Sequence, residues 1–179
     1  MLSRKSFNAI AAACVMSLGF SSATAQTVAN GPYYATPSWD QTLPVATRFI
    51  VLSNMGSAAV LDRETGLVWE RSPDGTPRNW QAAHTHCNLR TVGNRMGWRL
   101  PTLQELVSLV DPSAAFPPLP AGHPFTGVQF AFYWSATTLA ANALSAWDMS
   151  FGDGGAGTFA KGSVDRVWCV RGGQGVDSQ

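Results

Sequence analysis

Gly97-Trp98-Arg99-Leu100-Pro101-Thr102-Leu103-Gln104-Glu105-Leu106 is the stretch whose reading decides the fold. Thr102 is placed to accept from the first free N–H groups of a helix. Glu105, three residues on, reaches back to complete a capping box. Pro101 holds the chain before it extended, so Arg99 and Leu100 finish a strand that turns straight into the helix. That helix is expected over 102–110, with Leu103, Leu106, Val107 and Val110 on one apolar face and Asp111-Pro112 as its end. So short a helix needs a sheet to cover, which predicts an α+β fold.

Upstream, Asn79 caps a helix predicted over 80–89. Trp80, Ala83, His84 and Cys87 fall at i, i+3, i+4 and i+7 and share its buried face. His84 and His86, two residues apart, point in different directions and have no third ligand nearby, so His84 reads as a packing residue rather than a zinc ligand. Strands are expected over 49–52, 58–61 and 67–70. The last two join across Asp62-Arg63-Glu64-Thr65-Gly66, where Asp62 and Thr65 hydrogen-bond a turn and Gly66 supplies a positive φ. Asp62 and Glu64 alone lack the ligand count of a calcium site.

Downstream, residues 112–127 carry five prolines and predict a surface connection packed down by Phe116, Phe125 and Phe130. Residues 132–137 read as a strand with Tyr133 and Trp134 on opposite faces. In 147–151 the alternation puts Trp147, Met149 and Phe151 on one face and Asp148 and Ser150 on the other. Residues 152–157, four of them glycine, are expected as a hairpin loop leading to a strand over 158–161. They lack the Lys-Ser/Thr of a phosphate-binding loop. A final strand over 166–171 puts Val167, Cys169 and Arg171 on one face and Arg166, Trp168 and Val170 on the other.

Residues 1–25 read as a secretion signal: Arg4 and Lys5, an apolar run over 8–20, and Ala23-Thr24-Ala25 before Gln26. The run is too short to span a membrane, and it continues past Cys14, which disfavours lipidation there. Removing it leaves ten cations against eleven anions, a formal balance of −1 that argues against a nucleic-acid surface. Residues 26–47, with Tyr33, Tyr34 and Trp39, read as an extended arm, and 174–179 as a tail. Export also decides how the cysteines read. Only Cys87 and Cys169 remain, and an even pair in an oxidising compartment predicts a disulfide. A redox pair or two metal ligands are the alternatives, without the Cys-x-x-Cys spacing either favours.

Asp62-x-x-Thr65-Gly66-Leu67-x-Trp69, Trp80-x-x-Ala83-x-x-x-Cys87 and Trp98-Arg99-Leu100-Pro101-Thr102-x-x-Glu105-Leu106 occur in one order with three further motifs. These are Tyr133-Trp134-Ser135-x-Thr137, Trp147-x-x-x-Phe151 and Arg166-Val167-Trp168-Cys169-Val170-Arg171-Gly172. Together, across residues 48–173, they resemble the family known as domain of unknown function 1566, the type found at the C-terminus of the Legionella collagen-like adhesin. The resemblance implies a C-type-lectin-like fold related to formylglycine-generating enzymes: two short helices on antiparallel sheet, with long loops. It also implies that Arg99 and Glu105 are framework residues. Trp98, Thr102, Trp134, Cys87 and Cys169 are read as structural with them. The relatives are linked with sulfated glycosaminoglycans and trimeric assembly. The Glu-Pro-Asn and Trp-Asn-Asp runs of calcium-dependent lectins are absent, and fold alone assigns no activity.

The expected function is a non-catalytic, exported binding module of the periplasm or cell surface that recognises a glycan or an envelope protein. Seven tryptophans and loops suited to carrying contacts support that expectation. Candidate ligand-binding residues are Trp147, Asp148, Asp153, Arg166 and His123. No cofactor, metal or transmembrane segment is expected. Two alternatives are a self-assembling envelope protein and a periplasmic enzyme. For the enzyme, Asp148, Asp153, His123 and Arg166 would have to converge, and no Ser-His-Asp, HExxH or Cys–His signature stands out.

Overall fold

The structure, a computed structural model, describes residues 42–172. The predicted leader and tail, and the predicted arm up to residue 41, lie outside the described residues. In chain order, α1 (Val45–Arg48) precedes a meander of β1 (Phe49–Val51), β2 (Ala59–Asp62) and β3 (Leu67–Glu70). β4 (Arg78–Asn79) runs into α2 (Trp80–Leu89), and β5 (Trp98–Arg99) into α3 (Leu103–Val107). A long connection leads to β6 (Phe132–Thr138), β7 (Ser145–Ser150), β8 (Ala156–Ala160), β9 (Val164–Asp165) and β10 (Val170–Arg171). The fold is α+β with antiparallel sheets, few helices and one disulfide. No helix among the described residues is long and apolar enough to cross a membrane.

The largest sheet has the order β1-β2-β3-β10-β5, so the last strand lies between β3 and the strand of the deciding stretch. Val170 stands opposite both Trp69 and Arg99. A second sheet, β6-β7-β8, and the short pair β4-β9 complete the architecture. The capping box is present: Glu105 N–H donates to Thr102 Oγ1 at 3.2 Å and Thr102 N–H to Glu105 Oε2 at 2.9 Å. Arg99 grips the same carboxylate, Nη1 to Oε2 at 2.8 Å and Nη2 to Oε1 at 2.6 Å, and also donates to Gly172 O at 2.7 Å. One glutamate therefore starts the helix and ties β5 to the end of the chain.

Two apolar clusters fill the interior. One centres on Trp69, Trp168, Tyr133, Phe151, Leu106 and Leu109, the other on Trp80, Trp98, Trp134, Val167, Cys87 and Cys169. Cys87 and Cys169 are bonded, with their Cα atoms 5.4 Å apart. Tyr133 and Trp134 do lie on opposite faces, but each face has its own core, so both are fully buried.

That double core explains several departures from the expected elements. The final strand is not continuous over 166–171. β9 pairs with β4, and residues 167–169 cross between the sheets without a ladder before β10 begins. The alternation survives, since Val167 and Cys169 enter one cluster and Trp168 and Val170 the other. The helix expected over 102–110 ends at Val107. Beyond it, Leu109 and Val110 N–H bond to the carbonyls three residues back; Leu109 is buried there, while Val107, expected on the apolar face, is exposed. Asp62 ends β2 and holds the turn as expected, its Oδ1 accepting from Glu64 N–H at 3.0 Å with Gly66 at φ 71°, whereas residues 45–47 are helical rather than extended, held by the Pro44 carbonyl. Ala156 and Gly157 belong to β8, not to the glycine loop. Of the three phenylalanines expected to pack the long connection down, only Phe125 enters the core, together with Leu119, whereas Phe116 and Phe130 meet edge to face on the outside.

Candidate functional site

The predicted ligand-binding residues are dispersed. Trp147 is half-buried on β7, its carbonyl accepting from Ser135 Oγ. Asp148, the next residue, is buried at the centre of the three-stranded sheet, opposite Trp134 on β6 and Gly157 on β8. Asp153 lies exposed in the β7–β8 turn. The Ser150 hydroxyl and Gly155 N–H hold its carboxyl below the usual range. Arg166 bonds through its backbone to Phe132 and Trp134, and its guanidinium lies beside Gly75. His123 stacks on Phe125 in the long connection, where burial lowers its pKa. Among the described residues no hydrogen bond or ion pair joins Asp148, Asp153, His123 and Arg166 to one another.

The structure instead brings Asp148 to Asp165, the last residue of β9. Asp148 Oδ1 and Asp165 Oδ2 are shut off from solvent, and among the described residues no donor reaches either. Ionised carboxylates only accept, so neither can satisfy the other until one takes a proton and becomes a donor. Burial first, then the Asp148 carboxylate, pushes Asp165 up to about 7, while burial also raises Asp148. Gly157 makes the space: a Cβ there would come within 2.5 Å of Asp148 Oδ1. Exposed Phe132 lies against the same Gly157 position. A proton held by one of the two carboxyls would let it donate to the other and join β7 to β9.

This pair sets a pH dependence whose sign is definite. An Asp165 pKa raised from its ordinary 3.8 to about 7 means that the native chain holds a proton the unfolded chain has lost. The stabilisation is complete below about pH 4 and is lost as pH rises toward 7. Solvent access to Asp165 limits it to about 2 kcal/mol. Asp165→Asn supplies a permanent donor, so it is expected to match the parent at pH 4 and exceed it by about that amount at pH 8.5. Urea unfolding at the two pH values reads the difference, and parallel pH profiles for parent and variant would refute the shared proton.

A second group of residues forms an open cleft of about 430 Å³. The turn after β1 contributes Ser57, the end of β3 contributes Glu70, Arg71 and Ser72, the segment after α2 contributes Arg90, and the long connection contributes Thr126. The Arg71 and Thr126 main chains are joined by Thr126 N–H to Arg71 O at 2.9 Å, and Arg71 N–H donates to Ala58 O at 2.9 Å. Glu70, 1 % exposed, is fully committed: Oε1 accepts from Arg90 at 2.6 Å and Oε2 from Cys169 N–H at 3.1 Å. Burial raises its pKa against the pull of those two donors. Sequence reading missed this cleft because its walls come from four separate segments. Glu70 ends an apolar strand with nothing local to mark it as buried.

No group of three His, Cys, Asp or Glu side chains able to hold a metal occurs among the described residues. Residues 58–171 match the family model described as the Lcl C-terminal domain, an interval running from just before β2 through β10 that includes both cysteines and all of the cleft residues named above except Ser57. No curated protein matches the chain.

Proposed function

Because the chain belongs to the Lcl C-terminal domain family, we propose that it is an adhesin-like, non-catalytic module of the cell envelope that binds a glycan or a protein. The observation that carries this reading is the cleft between Arg71 and Arg90. It is open, lined by hydrogen-bonding side chains from four segments, and its one carboxylate is already satisfied within the fold. A carboxylate so engaged is poorly placed to act as a general acid or base, whereas free hydroxyls and guanidinium groups suit recognition.

The test is a glycan array together with retention of proteins from an envelope extract, each with and without calcium. Binding to a restricted set of targets, unchanged by chelation, is the expected result. A null array combined with no retained protein removes the proposal, and calcium-dependent binding removes its metal-free form.

A further inference from the structure

The cleft has a chemical bias that narrows its ligand. Arg71 donates from Nε to Pro124 O at 3.1 Å and from Nη1 to Ser57 O at 3.4 Å, leaving Nη2 uncommitted among the described residues. No carboxylate lies within ion-pair distance of Arg71 among the described residues, in contrast to Arg48, Arg78, Arg90 and Arg99. Arg90 spends Nε and Nη2 on Glu70 and keeps Nη1 free. Around them the hydroxyls of Ser57, Ser72 and Thr126 are exposed and hold no partner within the described chain. The site therefore presents charged donors and hydroxyls, with no free acceptor of matching strength.

Two backbone features keep this rim open. Ser57 sits at φ 60°, in the left-handed region that a residue with a Cβ adopts at a cost, and such strain concentrates at functional sites. Its conformation directs its carbonyl to Arg71 while its side chain stays at the cleft. Gly127 stands where a Cβ would come within 2.9 Å of Ser72 Oγ, so the glycine leaves that hydroxyl room. The planar fork of a guanidinium matches a carboxylate, and a charge-assisted pair of this kind is stronger than a neutral hydrogen bond.

We propose that this cleft binds the carboxylate group of its ligand, gripped by Arg71 with Arg90 and flanked by the Ser57, Ser72 and Thr126 hydroxyls. The inference rests on the binding-module reading above and names the ligand chemistry of the same site. A sugar acid and a peptide chain end both present that group.

Backbone amide NMR of the full chain separates these sources. The probes are glucuronate and N-acetylglycine, each titrated against its neutral counterpart, glucose and N-acetylglycinamide. One or both carboxylates are expected to shift the amides of Ser57, Arg71, Ser72 and Thr126, and to bind at least about tenfold more tightly than the neutral partner. Preference for glucuronate assigns a sugar acid, and preference for N-acetylglycine a peptide end. Arg71→Gln is expected to weaken the favoured probe by about tenfold or more. Ser57→Gly is expected to weaken it less while retaining the fold, because glycine adopts that φ without strain. Equal binding of charged and neutral probes, or unchanged binding by folded Arg71→Gln, overturns the carboxylate assignment while leaving a binding module in place. Absence of any probe-induced shift in the cleft amides also overturns it, and the array and extract then judge the binding reading separately.

Discussion

Replacing Cys87 and Cys169 together by alanine is expected to lower the free energy of unfolding by about 4 kcal/mol. The two residues are 82 apart in sequence, so the bond removes a large closed loop from the freedom of the unfolded chain. On the chain-entropy account such loops are worth between about 3 and 4.7 kcal/mol. Both side chains are fully buried, and alanine avoids placing polar hydroxyls among Trp80, Trp98 and Val167. The bond also anchors Cys169, whose N–H satisfies Glu70 Oε2 and whose carbonyl accepts from Glu70 N–H at 3.2 Å. Loosening this segment therefore disturbs the wall of the cleft as well as the core. A domain of ordinary stability has about 5–15 kcal/mol in total, so the loss takes a substantial part of it. Urea unfolding of the oxidised parent, the reduced parent and the double variant measures it. The slope against urea should rise in the latter two, because their unfolded chains expand. A loss below about 1 kcal/mol in both would mean that the packed clusters alone fix these segments.

The parts of this fold legible in the sequence are those whose causes are local. The capping box at Thr102 and Glu105 spans three residues, and the helix opened by Asn79 carries its own apolar period, so both stand where expected. The disulfide was legible because the expected loss of residues 1–25 on export would leave only Cys87 and Cys169 to pair. What escaped was the second core. Alternation assigns one buried face to each strand, and Asp148 and Ser150 accordingly read as outward polar residues. β7 is covered on both faces, so Asp148 and Ser150 are as hidden as Met149. With Asp148 assigned to solvent, nothing in the sequence pointed to Asp165 as its partner. The same limit applies to Glu70 and Arg90, twenty residues apart, whose pairing is a product of tertiary packing rather than pattern. Asp62 shows the effect most directly: it holds the turn as read, but it is also fully buried against Arg48, which nothing local announces.

Asp62→Ala is accordingly expected to cost more than Glu105→Ala, although the sequence gives Glu105 the more conspicuous place. Asp62 accepts from Arg48 Nε at 3.0 Å and from Nη2 at 2.8 Å, and Oδ1 also takes Glu64 N–H at 3.0 Å. The Arg48 side chain is 10 % exposed and that of Asp62 is inaccessible. Deleting the carboxylate leaves the guanidinium in the interior with Ser108 O at 2.6 Å and the Glu64 carboxylate at 2.8 Å, a set that no longer spans its fork. Removing one member of a buried pair costs about 3–5 kcal/mol, and the remaining Glu64 carboxylate places this case at the lower end of that range. Arg99 is less dependent on its partner. Its side chain is 21 % exposed, and without Glu105 it keeps the Gly172 and Leu100 carbonyls, so the loss there is mainly half of the capping box, about 1–2 kcal/mol. Replacing both members of the deeper pair, Arg48→Met with Asp62→Leu, is expected to recover most of the Asp62→Ala loss, since apolar packing removes the need to bury either charge. Denaturant midpoints of the four proteins rank these effects. If Glu105→Ala proves as costly as Asp62→Ala, burial does not govern the ranking and the strand-to-helix junction carries more of the fold than its exposure indicates.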